Sequence, residues 1–260
     1  GILLLLFIWP LVLFIRHRPE DVGLLPDGDL PKSISDDQVN PEGNNGEAYV
    51  DEPEYGPEYG IVEAFKTKVM WILIAGITLR FTAHTAIMVH LAPIMQTTGM
   101  SITRSAAAIG LLVFLSIPGR ILVGALGDRF QKHKVVSSLM LLQVLALIVL
   151  IGADTEVELY IFIVLWAAAY GAGILNWAIV GDYFGRAKFA TLRGLMGLVY
   201  STGAVAGPVY AGTVFDNTGT YTEAIVVFLI ITVMSLICFW FCKPPGLPPS
   251  MKSKQHNQEN

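Results

Sequence analysis

The stretch LSIPGRILVGALGDRFQKHK, residues 115–134, decides the fold of this chain. Its first half is apolar apart from Arg120, and its second half ends in a run of charge that begins at Asp128. A helix needs about 20 mostly apolar residues to cross a bilayer, and basic residues gather where it leaves the membrane. The stretch therefore predicts the end of a membrane-spanning helix that carries an arginine within its apolar part.

Long apolar blocks of this kind recur along the chain. Of its 260 residues, 53% are hydrophobic and 15% are charged, whereas soluble domains carry roughly 25% charged residues. We therefore predict an all-α polytopic membrane protein with a six-helix transmembrane bundle over residues 69–242. The six predicted spans are approximately 69–92, 105–126, 135–153, 159–181, 194–215 and 223–242.

Three further segments lie outside this bundle. Residues 1–15, GILLLLFIWPLVLFI, are too few to span a bilayer and lack the basic start and cleavage site of a signal peptide. We expect them to be the truncated end of a preceding helix, which implies a missing N-terminal bundle of the same polypeptide. Residues 16–68 are acidic and rich in Pro and Gly, which predicts a largely disordered linker with a short helix from about Val62. Residues 243–260 form a polar tail.

The basic residues set the expected orientation. Fourteen of the seventeen Lys and Arg residues lie in four segments, 16–68, 127–134, 182–193 and 243–260. Because cytoplasmic loops carry an excess of Lys and Arg, the linker and the C-terminus are predicted to be cytoplasmic. We expect a multi-pass protein of the cell or inner membrane that has the lipid bilayer, and no nucleic acid, as a partner.

Two arginines, Arg80 and Arg120, lie within predicted spans. A charge in the middle of the membrane costs at least ~2.5–3.5 kcal/mol, so such a residue faces protein or water and marks a functional site. No Asp or Glu lies deep in the six spans, because Asp182 and Glu223 sit at span ends. The uncompensated positive charge favours a small-molecule anion, and guanidinium pairs well with a carboxylate. Alternatively, acids in the missing half neutralise the arginines, or Arg120 only anchors an inner helix end.

Other polar side chains within the spans complete the candidate site. His84 lies one helical turn from Arg80 and shares its face, and three more residues lie in spans rich in small residues. Packing or an interhelical hydrogen bond is the competing interpretation for each of them. The candidate substrate-binding residues are Arg80, His84, Arg120, Tyr170, Asn176 and Tyr200. Phosphate-binding glycine loops, nucleophile constellations and metal-ligand spacings are missing, so we expect no enzyme activity, no cofactor and no metal.

The segment GALGDRFQKHK, residues 124–134, predicts a tight turn between two spans. We expect Gly124 to permit close helix approach and Asp128 to accept hydrogen bonds from the amides that begin the span 194–215. Arg129 is expected to pair with Asp182. Bonds of this kind hold only while the helix ends are together, so they would act as a latch on one conformation. The alternative is a static cap on the turn.

This pattern also carries a family resemblance. G-x-x-x-D-R at residues 124–129, followed by basic residues, resembles the inner-loop signature of the major facilitator superfamily between the eighth and ninth helices. RHRPEDVGLLPDG (16–28) is similar to the segment after the sixth helix, and residues 181–197 and 203–224 are similar to the tenth-to-twelfth-helix region. The resemblance implies the C-terminal half of a major facilitator fold, and it makes the aspartate and arginine of the pattern latch residues.

Within the superfamily, the chain resembles the monocarboxylate and oxalate–formate transporters. This likeness rests on HLAPIMQTTGMSITRSAAAIG (90–110) and PGRILVGALGD (118–128). It implies that Arg120 corresponds to the eighth-helix arginine that contacts carboxylate substrates. The span 194–215 departs from the oxalate-type members because it lacks a second cation in its interior, which disfavours oxalate itself.

Two functions are compatible with these features, and a third lacks support. The leading hypothesis is a secondary active transporter, an antiporter or symporter, that moves a mono- or dicarboxylate by alternating access. The alternative is a non-transporting receptor on the same fold, which would signal through residues 16–68. A membrane enzyme such as an acyltransferase would need a cluster of histidines or acids at one interface, and the sequence contains none.

Overall fold

The computed structural model describes residues 58–246, 248, 249 and 251 of the chain. The predicted helix end at residues 1–15, the linker up to residue 57 and most of the tail after residue 246 lie outside the described residues. The predictions made for those segments are therefore not addressed by the structure.

The described residues form eight helices and no strand. In chain order they are α1 (Ile61–Lys66), α2 (Lys68–Thr97), α3 (Ile102–Arg129), α4 (Lys132–Ile151), α5 (Glu156–Ala169), α6 (Ala172–Phe184), α7 (Phe189–Thr218) and α8 (Thr222–Phe241).

Each of the six predicted spans overlaps a helix, and the predicted short helix before the first span is α1. The predicted span 159–181 differs from the others because a two-residue turn at Tyr170 and Gly171 divides it into α5 and α6. Local signals set several helix ends. Ser101 Oγ accepts a hydrogen bond from the Arg104 amide at the start of α3, and Gly219 ends α7 with a positive φ of 74°.

Five helical segments are long and apolar enough to cross a membrane: α2, α3, α4, the pair α5–α6, and α8. The sixth predicted span, α7, is 30 residues long but is not among the five. Its glycines, threonines and tyrosines make it less apolar than its neighbours. It nevertheless packs along α2 over an extensive interface, so it is the sixth long member of an all-helical bundle.

Helix α2 lies at the centre of the packing, against both α7 and α8, while α4 packs on α5 and α8. The turns at residues 130–131 and 185–188 lie at the same end of the bundle, which we call the basic end. The buried apolar side chains form two clusters, one nearer each end. Between the clusters, α2, α4 and α8 bury the polar residues Arg80, Gln143 and Thr232. The apolar core is therefore interrupted by polar groups at mid-depth.

Two glycines allow α2 and α7 to pack closely. A Cβ atom on Gly207 would overlap the backbone oxygen of Thr82, and one on Gly203 would overlap the Thr82 hydroxyl. Small residues at a helix interface let membrane helices approach each other. The predicted G-x-x-x-G of this span is therefore the contact surface for α2.

Polar bonds join α7 to its neighbours around Pro208. Because proline has no N–H, the carbonyl of Ala204 lacks its helical partner, and Thr85 Oγ1 donates to it at 3.0 Å. His90 lies farther from the basic end and makes two contacts. Its Nε2 lies 3.0 Å from the Pro208 oxygen, and its Nδ1 lies 3.1 Å from the Tyr221 hydroxyl. The Pro208 oxygen can only accept, so His90 Nε2 carries the proton and Nδ1 accepts from Tyr221.

We expect Gly207→Ala to force α2 and α7 apart, because the added methyl group meets backbone, which cannot rotate away. Overpacking of this kind costs about 1–3 kcal/mol, so the melting temperature of the purified protein in detergent should fall by several degrees. Gly194→Ala in the same helix is the control, since a Cβ atom there meets nothing within 4 Å. Equal melting temperatures for the two variants would show that the α2–α7 contact is loose.

Candidate functional site

Arg80 is the most deeply buried charge in the described part of the chain. It lies twelve residues after Lys68, about 18 Å from the start of α2, and is 3% exposed. A Cβ atom on Gly173 would lie 3.5 Å from Arg80 Nη1, so the guanidinium group rests against the first turn of α6. Among the described residues, no acid pairs with it and its Nε has no hydrogen-bond partner.

Aromatic rings surround His84, one turn after Arg80. The imidazole stacks parallel to the indole of Trp166 at 5.6 Å and meets the ring of Tyr170 edge-on at 5.0 Å. Its Nδ1 has no hydrogen-bond partner among the described residues. The ring is therefore held by packing while one of its nitrogens stays free.

Arg120 reaches the same place from α3. Its guanidinium carbon lies 4.9 Å from the centre of the Tyr170 ring, an arrangement in which the ring attracts the cation. The Arg120 side chain is exposed. The structure therefore brings four predicted site residues together, and we call Arg80, His84, Arg120 and Tyr170 the arginine–tyrosine cluster.

Small residues place Arg120 beside Tyr170. A Cβ atom on Gly119 would lie 3.1 Å from the Ala167 oxygen, and one on Gly171 would lie 2.8 Å from the Val123 side chain. Helix α3 can therefore lie directly against the turn between α5 and α6. Any larger residue at either glycine would move Arg120 away from the Tyr170 ring.

The other two predicted site residues lie outside this cluster. Tyr200 stacks on Phe81 with ring centres 4.7 Å apart, and the Phe81 ring is 5.7 Å from the guanidinium carbon of Arg80. Asn176 is completely buried, and both its amide atoms lack partners among the described residues. Tyr200 therefore borders the cluster through Phe81, and Asn176 lies one turn beyond Gly173 on α6.

Sequence reasoning missed the aromatic residues that frame the cluster. Trp166 lies four residues before Tyr170, a spacing that places both on one face of a helix, so this residue was accessible to prediction. Phe81 and Trp177 had no such signal. Their roles depend on contacts with Tyr200 on α7, which no local pattern reveals.

The predicted pairing of Arg129 with Asp182 is wrong for this conformation. Lys132 Nζ lies 2.6 Å from Asp182 Oδ2 instead. Helix α3 continues to Arg129 and the chain reverses within two residues, so Lys132, at the start of α4, faces the end of α6. Within the described part of the chain, Asp128 makes no hydrogen bond or ion pair. Helix α7 begins at Phe189, five residues before the predicted start at residue 194, whose amides are the predicted donors to Asp128.

The close approach predicted for Gly124 is found at another residue. A Cβ atom on Gly124 would meet nothing within 4 Å, whereas one on Gly127 would overlap the Leu175 side chain. The two glycines are three residues apart and therefore lie about 60° from each other around α3. Gly127 faces α6 directly, whereas a Cβ atom on Gly124 would enter open space.

Comparisons with known proteins identify the family. The family model of the Major Facilitator Superfamily matches residues 1–191, so the chain belongs to this superfamily. Among solved structures, the in meso crystal structure of the POT family transporter PepTSo is similar with a TM-score of 0.57 and 17% sequence identity. The similarity covers 70% of this chain and 40% of that chain, and at this identity it shows the fold alone. No curated protein matches the sequence.

Membership of this superfamily, together with five membrane-capable helices, makes the chain part of an integral multi-pass membrane protein. The superfamily match points to a membrane transporter. Within the described residues, no group of three or more His, Cys, Asp or Glu side chains is arranged to hold a metal ion.

We expect Asn176→Leu to stabilise the protein, because leucine is similar in size and removes a buried amide that has no partner. An unpaired buried polar group costs about 1–3 kcal/mol. The comparison variant is Ser235→Ala, since Ser235 Oγ donates to the Gly76 oxygen at 2.8 Å and its loss should lower stability. Thermal melts in detergent would measure both. A loss of stability in Asn176→Leu equal to that in Ser235→Ala would mean that the Asn176 amide is paired.

Proposed function

We propose that this chain is the C-terminal bundle of a secondary transporter that moves a small organic anion, a mono- or dicarboxylate, by alternating access. The observation that carries this proposal is the burial of Arg80 without an acidic partner among the described residues. Arginine stays protonated in proteins, so its charge needs a counter-charge. An anion that arrives as the substrate supplies it.

The surroundings of the arginines favour a carboxylate with a small apolar body. A guanidinium group binds a carboxylate through two parallel hydrogen bonds. Trp166, Tyr170 and Phe81 offer flat apolar surfaces next to the two cations. Arg120 lies over the Tyr170 ring, and Arg80 lies one turn before His84, which meets the same ring. We propose that the site binds one carboxylate between the two arginines or two carboxylates of one molecule. The Tyr170 hydroxyl provides a further hydrogen-bond donor.

Alternating access needs a second bundle against one face of the described one. The side chains of the site come from α2, α3, α5, α7 and the turn after α5, whereas α4 and α8 contribute none. Of the long helices, α3 and α7 are also the least buried: six of 28 residues of α3 and five of 30 residues of α7 are buried. We infer that this open face meets the N-terminal bundle, with the basic end, the linker and the C-terminus in the cytoplasm.

Three residues of the turn between α3 and α4 support the same proposal. Asp128 and Arg129 are exposed and form no ion pair among the described residues, and a Cβ atom on Gly124 would meet nothing within 4 Å. All three are therefore available to a partner helix in another conformation. Lys132 already holds Asp182 at the basic end. We propose that Asp128 and Arg129 form the inner latch with the N-terminal bundle, while the Lys132–Asp182 pair stays within this bundle.

The test uses the full-length protein reconstituted in proteoliposomes with radiolabelled acetate, lactate, succinate and oxalate. We expect uptake of at least one acid, and we expect Arg80→Gln to lower that uptake at least tenfold because the buried counter-charge is lost. Arg120→Gln should raise KM with a smaller effect on the maximal rate, since this side chain is exposed. The monocarboxylate–oxalate subgroup assignment is retained only if a carboxylate is transported.

Arg104→Gln is the control for the loss of an arginine. Arg104 lies near the end opposite the basic end, where its Nη1 is 2.7 Å from Glu156 Oε1 in an exposed pair, and such pairs contribute little. Its transport should equal that of the wild type. Normal uptake by Arg80→Gln and Arg120→Gln, in protein that elutes as a single species, would make both arginines structural and end the proposal.

The same preparation separates transport from a receptor function. One feature favours the receptor: the end of the linker is docked on the basic end, where Glu58 Oε1 accepts from the Ala187 amide at 3.3 Å and the Tyr59 hydroxyl bonds the Gly246 oxygen. Ligand binding could reach the linker through these contacts. A receptor would bind a labelled acid saturably without moving it across the membrane, whereas the transporter does both.

A further inference from the structure

A chain of aromatic and cationic side chains runs from the arginine–tyrosine cluster toward the basic end. The Phe81 ring next to Arg80 stacks on Tyr200, whose ring lies 5.6 Å from that of Trp177. The guanidinium carbon of Arg193 lies 4.8 Å from the centre of the Trp177 ring. Arg193 thus ends a continuous series of contacts that begins at Arg80.

Arg193 lies at a different depth from Arg80. Helices α2 and α7 both start at the basic end, and Arg80 and Tyr200 lie twelve and eleven residues from those starts. The stacking of Phe81 on Tyr200 shows that these positions are level. Arg193 lies seven residues before Tyr200, which is two turns or about 10 Å nearer the basic end. It is therefore a separate cation and not a second ligand of the Arg80 site.

The guanidinium group of Arg193 is able to bind an anion. The indole of Trp177 covers one of its flat faces, while its N–H donors lie in the plane of the group and point to its rim. Arg193 is exposed, and among the described residues it has no hydrogen bond and no acidic partner. The nearby acid Asp182 is held by Lys132. Stacking therefore orients Arg193 without using its hydrogen-bonding capacity.

A glycine leaves room for a ligand beside this cation. Arg193, Gly197 and Tyr200 have the spacing i, i+4, i+7, which places them along one face of α7. A Cβ atom on Gly197 would meet only the Tyr200 ring, at 3.6 Å. The gap between the cation and the tyrosine is therefore open, with an indole on one side.

We propose that Arg193, Trp177 and Tyr200 form a second anion subsite, which binds small organic carboxylates between the arginine–tyrosine cluster and the basic end. It rests on the proposed function, because it handles the same substrates as the Arg80 site. The subsite collects the anion at the basic end and passes it along the aromatic side chains. Its affinity therefore contributes to KM from the basic side and not from the opposite side.

The test measures initial rates of lactate and succinate transport from each side, in right-side-out and inverted membrane vesicles that contain the full-length protein. We expect Arg193→Gln to raise KM from the basic side about fivefold to tenfold, with the maximal rate from that side and the KM from the opposite side unchanged. The maximal rate from the opposite side should fall by the same factor, because a mutation cannot alter the transport equilibrium and the ratio of maximal rate to KM must change equally in both directions. Gly197→Leu should do the same by filling the gap without a change of charge. Arg193→Lys should recover part of the affinity, because it keeps the charge but not the planar pair of donors.

Arg186→Gln is the matched control, because Arg186 is exposed in the turn between α6 and α7 at the same end. Its KM should equal that of the wild type. An equal rise in KM for Arg186→Gln would assign the effect to general surface charge. The subsite would also be overturned by an unchanged KM in Arg193→Gln, by a rise in KM from both sides, or by a fall in the maximal rate from the basic side without a rise in KM.

An anionic lipid headgroup would offer Arg193 a negative charge similar to that of a carboxylate substrate. Arg193→Gln is therefore also measured after reconstitution in phosphatidylcholine with and without phosphatidylglycerol. The rise in KM should persist in phosphatidylcholine alone. If KM rises only in vesicles that contain phosphatidylglycerol, Arg193 binds lipid and the carboxylate subsite is overturned.

A direct binding measurement separates failure of the subsite from failure of the proposed function. If the wild type moves no acid, the proposed function has failed. Binding of radiolabelled succinate to purified wild type, Arg193→Gln and Gly197→Leu then tests the subsite alone. Weaker binding by both variants would support it, whereas equal binding by all three proteins would overturn it.

Discussion

The structure depends on one constraint, which is that the charge of Arg80 has to be kept out of lipid at mid-depth. A cation there costs several kcal/mol unless protein or water surrounds it. The bundle provides that environment with the first turn of α6, the Phe81 ring and the neighbouring His84. The two apolar clusters of the core lie on either side of this level. The core therefore has a polar layer at mid-depth, which contains Arg80, and an apolar cluster on either side of it.

Glycines make this layer possible, because helices can meet a charged group from several directions only if they lie close together. Gly119 and Gly171 bring α3 to the turn at Tyr170, and Gly203 and Gly207 bring α7 to α2. The same small side chains make α7 less apolar than the other long helices. In α7, the small residues that allow close packing against α2 also lower the hydropathy of the helix. Packing along α2 holds α7 in the bundle.

Most of the fold followed from the sequence, because the thickness of a bilayer sets the length of an apolar helix. Each of the six predicted spans overlaps a long helical segment, and a turn at Tyr170 and Gly171 divides one of them. Five of these segments are apolar enough to cross a membrane, and α7 is not among them. Part of the site also followed, since a buried arginine is conspicuous in an apolar span. The contacts at the basic end did not follow. Arg129 and Lys132 are only three residues apart in the sequence, and the turn between α3 and α4 decides that Lys132 is the one that reaches Asp182.

The sequence by itself determined the positions of the long helical segments, their connections and the presence of two arginines without acids, because each depends on local composition. The tertiary structure alone decided that His84, one turn after Arg80, and Arg120 both meet the Tyr170 ring, and that Arg193 is a stacked helical residue rather than part of a loop. These contacts join helices that are far apart in the chain. Their geometry depends on how the glycine surfaces pack, and no local pattern contains that information.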